Sequence, residues 1–136
     1  MDESQVTWQE LRIKQNNLDL LDERNRSIRQ QREKQFEDLQ QKRDQLLHMM
    51  ESKHQMMQHY LGQVDVDTTE ERAQLNRIAS HFSQAVSMGF TRNQRTLEQR
   101  IENEEIEYRR ERRKLEDDID TLHRKKMKLD QEKRKG

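Results

Sequence analysis

No proline interrupts this 136-residue chain, and glycine occurs at only three positions, Gly62, Gly89 and Gly136. Proline removes a backbone donor and clashes inside a helix, while glycine costs about 1 kcal/mol per helical position relative to alanine. A chain almost free of both, and rich in Gln, Glu, Arg, Lys and Leu, has few points at which a helix must stop. It also has little with which to fill a globule. Hydrophobic residues make up 29% and charged residues 40%, whereas ordinary domains are roughly 45–50% apolar. Disorder is the usual alternative for so polar a composition, but it goes with high net charge and abundant Pro and Gly. Here 27 basic and 27 acidic residues cancel. Long helices sharing one narrow apolar seam are the remaining solution.

The same composition removes several function classes. Without cysteine there is no disulfide framework, thiol nucleophile or thiolate metal site. No segment approaches the 18 or so consecutive apolar residues of a membrane span, and the first residues lack the basic and apolar regions of a signal peptide. A cytoplasmic or nuclear location is expected. Zero net charge argues against polyanion binding by the chain as a whole.

Apolar residues at alternating spacings of three and four define the seam. A first helix is expected over 1–61, with Thr7 and Glu10 spaced as a capping box. Leu18, Leu21, Asn25, Ile28 and Arg32 follow coiled-coil core spacing. A four-residue slip then shifts the expected seam to Phe36, Leu39, Arg43, Leu46, Met50, Lys53, Met57 and Tyr60. Residues 62–67 break the pattern as a loop, with Gly62 suited to ending the helix in the left-handed conformation. Asp67 with Glu70, or Thr68 with Glu71, is placed to cap a second helix over 68–88. Its expected seam is Leu75, Ile78, Phe82, Ala85 and Gly89. A third helix over 89–136, separate or continuous with the second, carries Ile101, Glu105, Tyr108, Arg112, Leu115, Ile119, Leu122, Lys126 and Leu129.

Two arms of nearly equal length around one short break predict an all-α fold, a long antiparallel coiled-coil hairpin in which residue i faces a residue near 130 − i. Charge supports this pairing. It sets Arg24, Arg26, Arg29 and Arg32 against Glu98, Glu102, Glu104 and Glu105, and the basic run 109–114 against Asp19, Asp22 and Glu23. Glu116, Asp117 and Asp118 meet Arg12 and Lys14, and Lys125, Lys126 and Lys128 approach Asp2 and Glu3. Glu10 near Asp120 is the exception. A parallel in-register pair would oppose each charge run to its own copy, so charge selects orientation although single exposed pairs contribute little.

The strongest local anomaly is an uncharged stretch between Arg77 and Arg92, matched on the facing arm by doubled apolar positions. Two packed helices hide one stripe each, so the surplus requires a partner. The expected protein interface comprises Leu46, Leu47, Met49, Met50, Met56, Met57, Leu75, Ile78, Phe82, Val86, Met88 and Phe90. It would be covered by a second copy, as a four-helix bundle, or by other coiled-coil proteins.

Other signals favour plainer readings. His48, His54 and His59 lie near methionines, but their spacings of six and five do not stack on one helix face. The methionines read as plastic core and the histidines as its polar edge, and neither a zinc-hydrolase helix nor a Glu-x-x-His pattern is present. No phosphate-cradling glycine loop or nucleophile elbow occurs, and the plentiful carboxylates lie on exposed helices. No cofactor, metal or catalytic residue is expected. The tail carries Arg124, Lys125, Lys126, Lys128, Lys133, Arg134 and Lys135, which suit the negative C-terminal dipole and offer a secondary site for microtubules or nucleic acid. It has no aromatic side chain to stack on bases. Trp8 reads as a packing residue.

The composition is similar to that of coiled-coil subunits in cytoskeletal, ciliary, centrosomal or chromosome-segregation assemblies. The expectation is therefore a non-enzymatic structural scaffold, with a polyanion-binding adaptor acting through the tail as the alternative.

Overall fold

A computed structural model describes residues 2–135 and shows two long α-helices packed against each other as a helical hairpin. α1 spans Glu3–Gln63 and α2 spans Thr69–Lys135, with no strand among the described residues. The chain divides into two compact units: a terminal unit of Met1–Gln31 with Arg100–Gly136, and a loop unit of Arg32–Gln99.

α1 begins earlier than its sequence signals suggest. Asp2 occupies the cap position and its carboxylate accepts from the Gln5 N–H at 2.8 Å. Thr7 lies inside the helix, where its hydroxyl donates to the Glu3 carbonyl at 2.8 Å and cannot cap. α1 also continues through Gly62, and no described residue has a positive φ. The expected left-handed stop is therefore absent. Its place is taken by Thr68, whose hydroxyl donates to the otherwise orphaned Leu61 carbonyl at 2.9 Å, satisfying a helix end by side chain. Asp67 then caps α2 by accepting from both the Thr69 N–H and its hydroxyl. These two bonds hold the Asp67 carboxyl below its ordinary range. The connection is residues 64–68.

Gly89 does not divide α2, which runs unbroken from Thr69 to Lys135. The reason is that nothing there supplies an alternative to the helical bonds. The Thr91 hydroxyl, two residues on, donates to the Ser87 carbonyl four residues back, within the helix.

In the terminal unit the seam follows heptads. Ser4, Thr7, Leu11, Lys14, Leu18, Leu21, Asn25 and Ile28 are buried or half-buried, as are Tyr108, Arg112, Leu115, Ile119, Leu122, Lys126 and Leu129 on α2. Leu11 and Leu21 retain 5% and 8% of their exposure and Ile119 9%. Each such burial contributes on the order of 1.5–3 kcal/mol. Expected orientation and charge pairing are realised by Lys14 with Asp118 at 3.4 Å, Arg29 with Glu105 at 2.7 Å and Arg112 with Asp22 at 3.0 Å. Arg24 meets Glu111, and Lys133 rather than Lys125 reaches Asp2.

Candidate protein-docking face

The loop unit departs from the heptad, and this departure creates its outward surface. The inward positions of its part of α1 repeat every eleven residues: Leu39, Met50 and Leu61, then Arg32, Arg43 and His54, then Phe36, Leu47 and Gln58, all half-buried. Its part of α2 does the same, with Leu75, Val86 and Leu97, then Ala79 and Phe90, then Ser83 and Gln94. Eleven residues over three turns give 3.67 residues per turn, slightly above the 3.6 of a straight α-helix. Side chains of a seam with this period need not wind left-handedly to stay in contact.

This period overturns the continuation of the expected heptad seam. Leu46, Lys53, Met57 and Tyr60 are exposed, and Leu47, His54, Gln58 and Leu61 take the inward positions. On α2, Ile78 and Ala85 turn outward while Ala79, Ser83 and Val86 turn in. The proposed interface residues therefore separate. Leu47, Met50, Leu75, Phe82, Val86 and Phe90 are half-buried. Leu46, Met49, Met56, Met57, Ile78 and Met88 are 41–71% exposed.

The exposed residues are not scattered. At about 98° per residue, Leu46, Met49, Lys53, Met57 and Tyr60 lie in one stripe beside the α1 seam. Exposed Ile78 and Ala85, together with half-buried Phe82 and Gly89, form the corresponding stripe beside the α2 seam. Both stripes are displaced in the same rotational sense. In two right-handed helices running antiparallel, equal displacements in the same sense emerge on the same side of the pair. The loop unit thus presents one two-helix apolar face, with Lys53 its single charged side chain over these positions. Met56 and Met88, the most exposed of the interface candidates at 71% and 64%, point away from the seam and do not belong to this face.

Polar groups inside the unit are satisfied. The Asn76 Oδ1 accepts from Gln58 Nε2 at 2.8 Å, and His54 Nε2 lies 2.8 Å from the same oxygen and 3.3 Å from Gln58 Nε2. Gln58 also donates to the Arg72 carbonyl at 3.3 Å. The Arg43 guanidinium sits 4.3 Å from the centre of the Phe90 ring, a cation–π contact across the two helices, and pairs with Asp44 at 3.0 Å. No group of three or more His, Cys, Asp or Glu residues among the described ones is arranged to hold a metal ion. His48 and His59 are exposed and lie apart from the His54 cluster.

Gly89 is the one unexplained residue on the face. A Cβ built there meets nothing within 4 Å, and its φ is not positive. Neither backbone conformation nor packing inside the hairpin requires glycine at a mid-helical site where it costs stability. At Gly62, by contrast, an added Cβ would collide with the Arg72 guanidinium.

In the terminal unit, Tyr108 joins the expected pairing of Arg112 with Asp22, a part that charge complementarity alone did not assign. The Asp22 carboxylate accepts from Tyr108 Oη at 2.5 Å and from Arg112 Nε at 3.0 Å. Arg112 and Tyr108 hold the Asp22 carboxyl below its ordinary range, and Asp22 in turn pushes the Tyr108 phenol up. Tyr108 and Arg112 carry core spacing and Asp22 is one position beyond Leu21, so periodicity alone reads them as packing. Of the basic tail, Lys126 pairs with Asp130 at 3.1 Å and Lys133 with Asp2. Arg124, Lys125, Lys128, Arg134 and Lys135 are exposed along α2. Trp8 is 47% exposed beneath the Arg12 guanidinium, 5.3 Å from its ring centre.

No helix among the described residues is long and apolar enough to cross a membrane. The comparisons with protein-family models, curated proteins and solved structures find no match. The fold defines an all-α helical hairpin, and the chemistry of the exposed face is what bears on function.

Proposed function

We propose that this chain is a non-enzymatic coiled-coil scaffold subunit that docks other helical protein through the apolar face of its loop unit. The observation that carries this reading is the paired stripe of Leu46, Met49, Met57, Ile78 and Phe82, apolar on both helices and directed to one side. An apolar face in a chain this polar is costly to leave in water and fits a partner helix by the same spacing. Assemblies of cytoskeletal, ciliary, centrosomal or chromosome-segregation type, in the cytoplasm or nucleus, use subunits of this composition.

The test is recovery of partners from the native cell at moderate salt with wild-type chain and with the double variant Met49→Glu/Ile78→Glu. Both sites are exposed, so the variant should keep its helicity. Stoichiometric coiled-coil partners retained by wild type and lost by the variant support the reading. Retention by both would remove the face from the interaction.

A second reading rests on the six exposed basic residues of the tail, Arg124, Lys125, Lys128, Lys133, Arg134 and Lys135, which suit a microtubule surface or nucleic acid. Such binding would weaken steeply as salt rises, whereas docking through the apolar face would respond little. Loss of every partner on deletion of residues after Leu122 would favour the tail.

A further inference from the structure

Gly89 and its surroundings identify a specific occupant for the apolar face. The inference rests on the reading that this face docks protein. We infer that the occupant is a second copy of this chain, with the two loop units packed face to face and their 64–68 loops at the same end. The partner's Leu46 then sits over Gly89.

Register leads to this arrangement. Within the loop unit, contacting residues on the two helices have numbers that total 133 for Arg43 with Phe90 and 134 for Gln58 with Asn76. A two-fold axis running along the helix pair lays the partner's α1 over α2 at the same heights, so nearly the same totals apply between copies. Leu46 falls over Gly89, Met49 over Ala85, and Met57 over Ile78. Large side chains from one helix thus meet small ones on the other at the two positions where α2 is narrowest. The space that a Cβ at Gly89 would find empty becomes the hole for a leucine knob. That supplies the reason for glycine which the single hairpin lacks.

Charge selects the same arrangement. No formally charged residue lies between Arg77 and Arg92, so the α2 stripe offers nothing to attract a charged partner helix. The α1 stripe carries one cation, Lys53. With the loops at the same end, Lys53 lies over the ring of the partner's Phe82, repeating between copies the cation–π contact that Arg43 makes with Phe90 inside one copy. With the loops at opposite ends, Lys53 would meet the partner's Lys53 at the two-fold axis. Like charges in a closing apolar interface are repulsive. Each helix in the favoured bundle is antiparallel to its neighbours, and the interface is isologous.

The experiment uses the full chain in two parts. Sedimentation equilibrium should give twice the 16.8 kDa chain mass for wild type. Gly89→Leu should weaken association about tenfold or more, the loss expected when a packed contact is displaced. Because leucine favours helix over glycine, the variant chain itself should remain folded and helical by circular dichroism. A folding defect is thereby distinguished from an association defect. In the second part, Met49→Cys chain mixed with Ala85→Cys chain and treated with a short bismaleimide should give a cross-linked heterodimer, while Lys53→Cys alone should not cross-link to itself. Wild type that remains monomeric at every concentration overturns self-docking. Self-cross-linking of Lys53→Cys without the mixed product overturns the arrangement. Neither result bears on docking to other proteins, which the Met49→Glu/Ile78→Glu recovery experiment judges separately.

Discussion

Asp22 is the residue at which a small change should report most directly on how the two helices are held together. Its carboxylate is 30% exposed and takes hydrogen bonds from Tyr108 and Arg112 on the opposite helix. A hydrogen bond to a charged group contributes about 1.5–3 kcal/mol when shielded from water, and partial solvent access reduces that. Tyr108→Phe, which removes one donor and leaves the ring in place, should therefore cost about 1 kcal/mol. Asp22→Asn should cost a similar amount, because it keeps the shape and removes the charge. Both changes act on the same contact, Phe by removing its donor and Asn by leaving only a neutral acceptor, so the double variant should be less destabilised than the sum by about 0.5–1 kcal/mol. Urea unfolding followed by far-ultraviolet circular dichroism measures all four chains. Additivity of the two single changes within about 0.3 kcal/mol would refute the contact, since uncoupled sites behave that way. The pH dependence follows with a defined sign. A carboxyl whose folded value is depressed contributes stability that is present above its ordinary value near 3.8 and is lost as pH falls through the folded value. The Tyr108 phenol is raised from 10.0, so its contribution is present below that pH and is lost as pH rises through the folded value. Asp22→Asn should remove part of the acid-side loss, while Tyr108→Phe should remove the alkaline one.

Other outcomes follow from burial and helix chemistry. Leu97, 8% exposed at an eleven-residue seam position, should cost about 2–5 kcal/mol on change to Ala. Ile106, nine positions further along the same helix and 48% exposed, should cost well under 1 kcal/mol by the same urea measurement. Gly89→Ala should raise monomer stability by up to about 1 kcal/mol, because the new methyl enters open space. Gly62→Ala should gain less, since its methyl displaces the Arg72 guanidinium from the Gln58 carbonyl, 3.5 Å away. Thermal unfolding at low protein concentration compares the two, and a larger gain at Gly62 would contradict the packing described there. Thr68→Val should lower the melting temperature by freeing the Leu61 carbonyl that its hydroxyl satisfies.

Much of the architecture was legible from local chemistry. Absence of proline and scarcity of glycine, with balanced charge, leave long helices as the workable fold, and one break in the pattern near Gly62 yields a hairpin. Opposed charge runs set its antiparallel sense, and Lys14 with Asp118 and Arg112 with Asp22 show the logic at work. The helix ends were less legible. Thr7 and Gly62 carry end signals but sit inside helices, because Asp2 and Thr68 make better use of the orphaned backbone groups.

The composition and spacing of this sequence by themselves determined that the chain is helical, that it folds back once, and which residues are apolar enough to need cover. Only the tertiary structure decided which of those residues are covered within the hairpin. Leu46 and Leu47, or Met56 and Met57, are equivalent by hydrophobicity, and a heptad chooses one of each while an eleven-residue period chooses the other or neither. The two periods differ by less than a fifth of a residue per turn. That difference is too small to read over one helix, where intruding Arg43 fits either pattern and Lys53 and His54 are both polar. It accumulates over the length of the loop unit until the same leucines and methionines point out of the pair, and packing of two helices against each other settles it, because both must keep one stripe in contact at once.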